Sequence, residues 1–252
     1  MKKKRQKVNA AILIIGNEIL SGRTQDKNVS FISNWMNTQC GISIKEVRII
    51  PDVEKIIIKN TLDLSKQYDY VFTSGGIGPT HDDITSKSIS KAFKVKYKFN
   101  VEAYKILKNY YGKLDFNEPR QKMAKIPEGS NLIYNPSSAA PGFKIKNVFC
   151  FPGVPSILQS MIPNIRKYIT EGPITYDKNI YLNVVESKIA NDLTKAQNKY
   201  KKKVEIGSYP FFKSGKVGVT IVLRSIFKKK ILECNEYLLK LIKKNKIKVL
   251  NF

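Results

Sequence analysis

Thr73-Ser74-Gly75-Gly76-Ile77-Gly78-Pro79-Thr80-His81-Asp82-Asp83-Ile84-Thr85 (TSGGIGPTHDDIT) joins a short apolar run, Tyr70–Thr73, to a run with helical spacing, Asp82–Phe93. A strand that passes through glycines into a helix is the repeating unit of an α/β fold. The flanking sequence repeats it. Val8–Ile15 (VNAAILII) is continuously apolar, as in a strand covered on both faces. Asn28–Cys40 carries Val29, Ile32, Trp35 and Met36 at helical spacing and ends at Gly41. Ile42–Ile50 is β-branched, and Asp52 is an N-cap candidate for a helix over Val53–Gln67. Strand, helix, strand, helix, strand, helix predicts a parallel sheet with helices on both faces.

Farther along, Val101–Tyr111 reads as a helix closed by Gly112, and Pro119–Ala124 as a short one. Leu132–Tyr134 and Phe143–Phe151 read as strands around the loop Asn135–Gly142, and Pro155–Ile169 as a helix. Glu171-Gly172-Pro173 is a boundary signal. Residues 1–170 are thus expected as the main domain and 171–252 as a small α+β subdomain. The latter reads βαββα: Ile180–Val185, Ala190–Tyr200, Val204–Tyr209, Gly218–Ser225 and Ile231–Lys244.

The chain has 252 residues, 42% of them hydrophobic, enough to bury a core. Its net charge of +25 first suggests nucleic acid. However, 39 of the 45 basic residues are Lys, spread along the chain, and Arg is the usual reader of bases and phosphates. The charge therefore implies a general attraction for anionic small molecules and no dedicated nucleic-acid binding. Cys40, Cys150 and Cys234 are scattered and odd in number, which gives no disulfide frame or metal knuckle and suits a reduced, cytoplasmic setting. No apolar run approaches the roughly 18 residues of a membrane helix. Lys2–Arg5 before Ala10–Ile15 imitates a signal peptide, but Glu18 follows at once and a buried strand after a solvated tail is expected.

In a parallel sheet, ligands bind outside the carboxyl ends of the strands, where the opening stretch lies. Its glycines let the backbone approach a ligand, and the amides and helix start favour an anion. Ser74, Gly75, Gly76, Gly78 and Thr80 are its phosphate-binding candidates. Asp82 and Asp83 would repel a bare phosphate there. A divalent ion between carboxylate and phosphate oxygens removes the conflict, making both acids metal-binding candidates. A plain turn with Asp82 capping the next helix accounts for the same residues, and both readings stay open at this point. No Gly-Lys-Ser/Thr follows, so this is no Walker loop. Asp52, Glu18 and Asp26 fall on the same carboxyl edge, Asp26 reading as a cap and Asp52 as cap or ligand. His81, the single histidine, sits on the turn as a general acid–base or an exposed loop residue.

Gly-Gly-Ile-Gly-Pro-Thr-His-Asp-Asp-Ile-Thr resembles the signature of the molybdopterin-binding (MoaB/Mog-like) domain family. Its form is similar to that of the branch at the N-terminus of the competence/damage-inducible protein CinA, and of the molybdopterin-binding-like half of eukaryotic FAD synthase. Gly16–Gly22 (GNEILSG), Asp26-Lys27-Asn28, Pro51-Asp52, Arg120–Pro127 (RQKMAKIP), Asn135-Pro136, Ala140-Pro141-Gly142, Pro152–Pro155 and Gly207–Pro210 resemble further family segments, so the likeness spans nearly the whole chain. It implies a three-layer αβα sandwich with a small C-terminal appendage. It also implies catalytic roles for Asp83 and Asp52, with Arg120, Asn135, Pro152 and Gly153 completing the ligand-binding set. Asp82 matches an acid in the CinA branch and an Arg in the pterin-adenylylating branch.

The chain departs from the family at Ser138 and Ala139, where Gly and Thr are expected, and at Ile157, where Glu is common. It ends where CinA's nicotinamide-nucleotide deamidase domain would begin, so no deamidase activity is expected. The activity implied is metal-dependent hydrolysis of a nucleotide pyrophosphate, ADP-ribose or FAD in type, with Mg²⁺, Mn²⁺ or Co²⁺. The alternatives are molybdopterin adenylyl-transfer in molybdenum-cofactor biosynthesis and a non-catalytic pterin- or nucleotide-binding module. Relatives often form dimers or trimers, so a homo-oligomer is allowed.

Overall fold

A computed structural model describes residues 7–213 and 216–250. The basic tail Lys2–Arg5, expected to be solvated, lies outside the described residues. The chain forms two compact units that divide between Gly172 and Pro173.

The first unit runs β1 (Val8–Ile15), α1 (Asn17–Leu20), α2 (Asn28–Cys40), β2 (Ile42–Ile50), α3 (Glu54–Gln67), β3 (Tyr70–Ser74) and α4 (Thr85–Ala92). It continues through β4 (Tyr97–Phe99), α5 (Val101–Asp115), α6 (Glu118–Lys122), β5 (Lys125–Pro127), β6 (Asn131–Ile133), β7 (Gly142–Ile145), β8 (Val148–Phe151) and α7 (Pro155–Met161), then a 3₁₀ segment, Ile162–Tyr168. The main sheet has the order β2-β1-β3-β8-β7-β6. Its first four strands are parallel, and β7 and β6 add antiparallel pairs.

Alternate side chains of β1 serve different layers, as a strand's period of two requires. Ala11, Leu13 and Ile15 pack with Ile57 and Leu64 of α3, Ile89 of α4 and Leu107 of α5. Ala10, Ile12 and Ile14 pack with Ile32 and Met36 of α2 and with Leu158 and Met161 of α7. The continuous apolar run therefore reflects burial on both faces, and the unit is an αβα sandwich. Gly41 closes α2 in the left-handed conformation (φ 64°), where only glycine is unstrained.

Several expectations are corrected. Phe143–Phe151 is not one strand: β7 and β8 fold into a hairpin at Lys146-Asn147. Asn147 fixes the bend by donating to the Ser65 and Tyr68 carbonyls. Helical geometry does break at Gly112 (φ 70°), as expected, but helix resumes beyond it and α5 runs on to Asp115. The helix from Pro155 tightens to 3₁₀ after Met161, where Pro163 supplies no N–H for an α-helical bond. Strands β4 and β5 form a separate two-stranded pair that the sequence reading lacks.

The second unit runs β9 (Tyr176–Leu182), a 3₁₀ turn, α8 (Ala190–Lys199), β10 (Glu205–Lys213), β11 (Lys216–Ser225), α9 (Lys228–Lys244) and β12 (Val249–Leu250). Its antiparallel sheet has the order β10-β11-β9-β12. Ile180, Val219, Ile221 and Leu223 pack with Ile231, Cys234 and Leu238 of α9. The short β12 extends the expected βαββα pattern. Among the described residues no helix is long and apolar enough to cross a membrane.

Candidate functional site at the carboxyl edge

The parallel strands end in register: Ile15 lies beside Ile50, Ile14 beside Ser74, and Ser74 beside Phe151. The segments that follow, Gly16–Glu18, Pro51-Asp52, Gly75–Asp83 and Pro152-Gly153, therefore leave from one edge of the sheet.

Two glycines make the turn after β3. Gly75 (φ 108°) donates its N–H to the Phe151 carbonyl, and a Cβ there would lie 2.0 Å from the Ile15 carbonyl oxygen. Gly76 (φ 69°) offers its carbonyl to the N–H of Thr85, the first residue of α4. A buried lock holds the turn. The side-chain amide of Asn28 donates to Ser74 Oγ (2.9 Å) and to the Gly153 carbonyl (2.8 Å), and Ser74 Oγ donates to the Pro152 carbonyl (3.3 Å). Ser74 thus ties strand to loop, and Pro152 and Gly153 turn their carbonyls inward.

The acids lie just beyond. Thr80 Oγ1 stands 2.5 Å from both Asp82 Oδ1 and Asp83 Oδ2, and the Thr80 N–H donates to Asp83 Oδ2 (2.8 Å). A hydroxyl has one proton and serves one carboxylate at a time. Two carboxylate oxygens therefore converge on one hydroxyl proton, with the Thr80 N–H as a further donor to Asp83 alone. Gly78 makes room for this, since a Cβ there would be 2.7 Å from Asp83 Oδ2. Gly16 does the same for Glu18, at 2.5 Å from Oε1. Helix α4 starts at Thr85 with no side-chain cap, so Asp82 is not its cap.

Asp52 is not the cap of α3 either. That helix follows Val53 without a side-chain cap, and Asp52 Oδ2 instead accepts the backbone N–H of Asn17 (2.9 Å). Burial raises the Asp52 pKa above its ordinary value; the Asn17 N–H opposes this, and the charges of Glu18, Asp82 and Asp83 add to it. The Thr80 hydroxyl and then the backbone N–H of Asp82 lower the Asp82 pKa, with help from the charges of His81 and Lys122. Neighbouring carboxylates pushed in opposite directions suit different roles. Asp26 does act at the start of α2, accepting the Val29 N–H (2.9 Å).

The remaining sequence candidates lie elsewhere. Arg120 of α6 bonds the Asp115 carbonyl (2.5 Å) and lies over the Tyr111 ring (4.3 Å), and among the described residues its side chain makes no hydrogen bond or ion pair with the acid loop. Asn135 accepts from the Ser137 and Ser138 amides and donates to Ser138 Oγ and the Ala140 carbonyl, so its capacity is used inside its own loop. Ala139 takes φ 60°, so the left-handed position of this loop falls on a residue with a Cβ. Ile157 packs with the core and its carbonyl accepts from Ser160. His81 is exposed.

Lys122, two residues after Arg120, is the side chain that reaches the loop, donating to the Thr80 carbonyl. Positions two apart on a helix point about 200° apart, so Arg120 and Lys122 cannot both face one site. The motif RQKMAKIP contained this lysine, but only the packing of Arg120 on Tyr111 decides which of the two faces the acids. Among the described residues no three His, Cys, Asp or Glu side chains converge as a metal cage.

Residues 11–171 match the family model described as a probable molybdopterin binding domain, and residues 175–250 match that of the FAD synthase middle domain. A protein of Archaeoglobus fulgidus is 35% identical over 200 residues, covering 79% of this chain and 84% of that one. One of Pyrococcus abyssi is 33% identical over 221 residues, covering 81% and 85%. The crystal structure of the CinA protein of Thermoplasma acidophilum, a protein of unknown function, is similar with a TM-score of 0.60 at 32% identity, covering 64% of this chain and 98% of that one.

Proposed function

We propose that this chain, which belongs to the molybdopterin-binding (MoaB/Mog-like) domain family and is CinA-like within it, is a metal-dependent hydrolase of a nucleotide pyrophosphate of the ADP-ribose or FAD type. The observation that carries this reading is the convergence of Asp82 and Asp83 on the single Thr80 hydroxyl, beside the glycine turn at the carboxyl edge.

Asp82 and Asp83 would hold the divalent ion, Mg²⁺, Mn²⁺ or Co²⁺, which when bound neutralises phosphate charge and polarises a phosphoryl oxygen. The donor set suits it: two carboxylates and a hydroxyl are hard oxygen ligands. A Mg²⁺-like ion commonly takes only one or two carboxylates and completes its shell with water and substrate oxygens, so a third protein acid is not required. The Gly76–Gly78 amides and the start of α4 orient a phosphate, the Gly75 N–H being held by the Phe151 carbonyl. Water bonds to one phosphorus, the bond from that phosphorus to the bridging oxygen breaks, and the leaving monoester keeps the electron pair. Asp52, its basicity raised by burial, accepts a proton of the attacking water. The match of residues 175–250 to the FAD synthase middle domain supports a flavin-type dinucleotide.

The test is incubation with ADP-ribose, FAD and NAD, each with Mg²⁺, Mn²⁺ or Co²⁺, read by mass spectrometry, with Asp83→Ala alongside. The reading expects cleavage to two monophosphates, lost in a mutant that stays folded. Turnover retained in Asp83→Ala would sink it. The match over residues 11–171 supports a second reading, molybdopterin adenylyl-transfer, which predicts no hydrolysis and requires ATP with molybdopterin.

A further inference from the structure

We propose that Lys122, in place of Arg120, is the side chain that holds the anionic group of the ligand at the acid loop, exchanging the Thr80 carbonyl for a phosphate oxygen. Four features lead there. First, Lys122 is aimed at the loop, its Nζ bonded to the Thr80 carbonyl, and Thr80 is the residue whose hydroxyl lies between Asp82 and Asp83. Second, it has donors to spare. An ammonium has three donors, one rests on that carbonyl, and among the described residues Lys122 belongs to no ion pair.

Third, its helix is anchored by other groups. The Asn117 side chain caps α6 by accepting the Arg120 N–H, and Gln121 donates to the Phe116 carbonyl. Arg120 grips the Asp115 carbonyl and the Tyr111 ring. Lys122 is therefore free to change partner without unseating α6. Fourth, the surroundings call for a cation. The charges of Glu18, Asp82 and Asp83 act on Asp52 here, and His81 and Lys122 are the positive charges felt by Asp82. A phosphate entering between these acids is repelled unless a cation meets it, and a point charge on a flexible stem can follow the phosphate as it docks. Arg120 then acts as the clamp that aims Lys122.

This inference rests on the hydrolase reading only for the identity of the anion, so its test uses inorganic pyrophosphate with Mg²⁺ and needs no turnover. Calorimetric titration would compare the wild type with Lys122→Met, which keeps the stem, and Lys122→Arg, which keeps the charge. The expected result is wild-type binding, at least about a tenfold loss in Lys122→Met, and a smaller loss in Lys122→Arg, with unchanged melting temperatures. Wild-type affinity in Lys122→Met, or no binding by the wild type, would overturn the proposal. So would loss of binding in both variants together with loss of folded protein, which would make Lys122 a structural latch. Pyrophosphate binding that depends on Lys122 without cleavage of any dinucleotide would support the lysine and end the hydrolase reading. Unaltered cleavage by Lys122→Met at low and saturating substrate would do the reverse.

Discussion

Gly78→Ala separates the chemistry of the acid loop from its folding. The backbone of Gly78 is outside the left-handed region, so alanine adds no conformational strain. Its Cβ would lie 2.7 Å from Asp83 Oδ2, whereas ordinary contact begins at 3.4 Å, so the carboxylate must move by about 0.7 Å. That displacement breaks the 2.8 Å bond from the Thr80 N–H and the 2.5 Å contact with Thr80 Oγ1. Losing one exposed hydrogen bond costs about 1 kcal/mol, roughly 2–4 °C in melting temperature for a unit of this size. Misplacing a reacting group by about 1 Å costs on the order of 10²-fold in rate. The expected phenotype is a near-native melting curve with dinucleotide hydrolysis down by about one to two orders of magnitude and weakened Mn²⁺ binding by electron paramagnetic resonance. Hydrolysis and Mn²⁺ affinity within threefold of wild type in a folded Gly78→Ala protein would refute the reasoning.

Gly76→Ala should damage the fold, because φ 69° and a Cβ 2.2 Å from Thr85 Oγ1 combine strain with overpacking; about 2–5 kcal/mol is expected in denaturant unfolding. Ala139→Gly relieves the left-handed conformation at φ 60° and should raise unfolding stability by up to about 1 kcal/mol. Asp52→Asn should abolish hydrolysis yet leave the protein as stable or more so at neutral pH. The Asp52 pKa is raised in the fold, so ionising it works against the folded state as pH climbs past the ordinary 3.8. The gain of the asparagine variant should appear above that pH in thermal scans and vanish below it.

The sheet was legible where the sequence carries its own period. Val8–Ile15 is apolar at every position but Asn9 because both faces of β1 are covered, and that pattern needs no partner to be read. The hairpin between Phe143 and Phe151 was hidden, because its turn at Lys146-Asn147 has neither Gly nor Pro and is secured by Asn147 reaching back to Ser65 and Tyr68. The acids on the carboxyl edge were legible from their place after successive strands. Their partners were not. Asp52 accepts from Asn17 across 35 residues, a bond that no local capping rule contains. Arg120 and Lys122 illustrate the same limit: the motif names both, and the packing of Arg120 on Tyr111 decides between them.

The most direct measurement is anomalous diffraction from crystals grown with Mn²⁺ and a non-hydrolysable ADP-ribose analogue. The account predicts one strong Mn²⁺ peak coordinated by Asp83, with Asp82 in or beside its shell, and a phosphate on the Gly76–Gly78 amides. A peak away from both aspartates, or an analogue bound elsewhere with the loop empty, would contradict it.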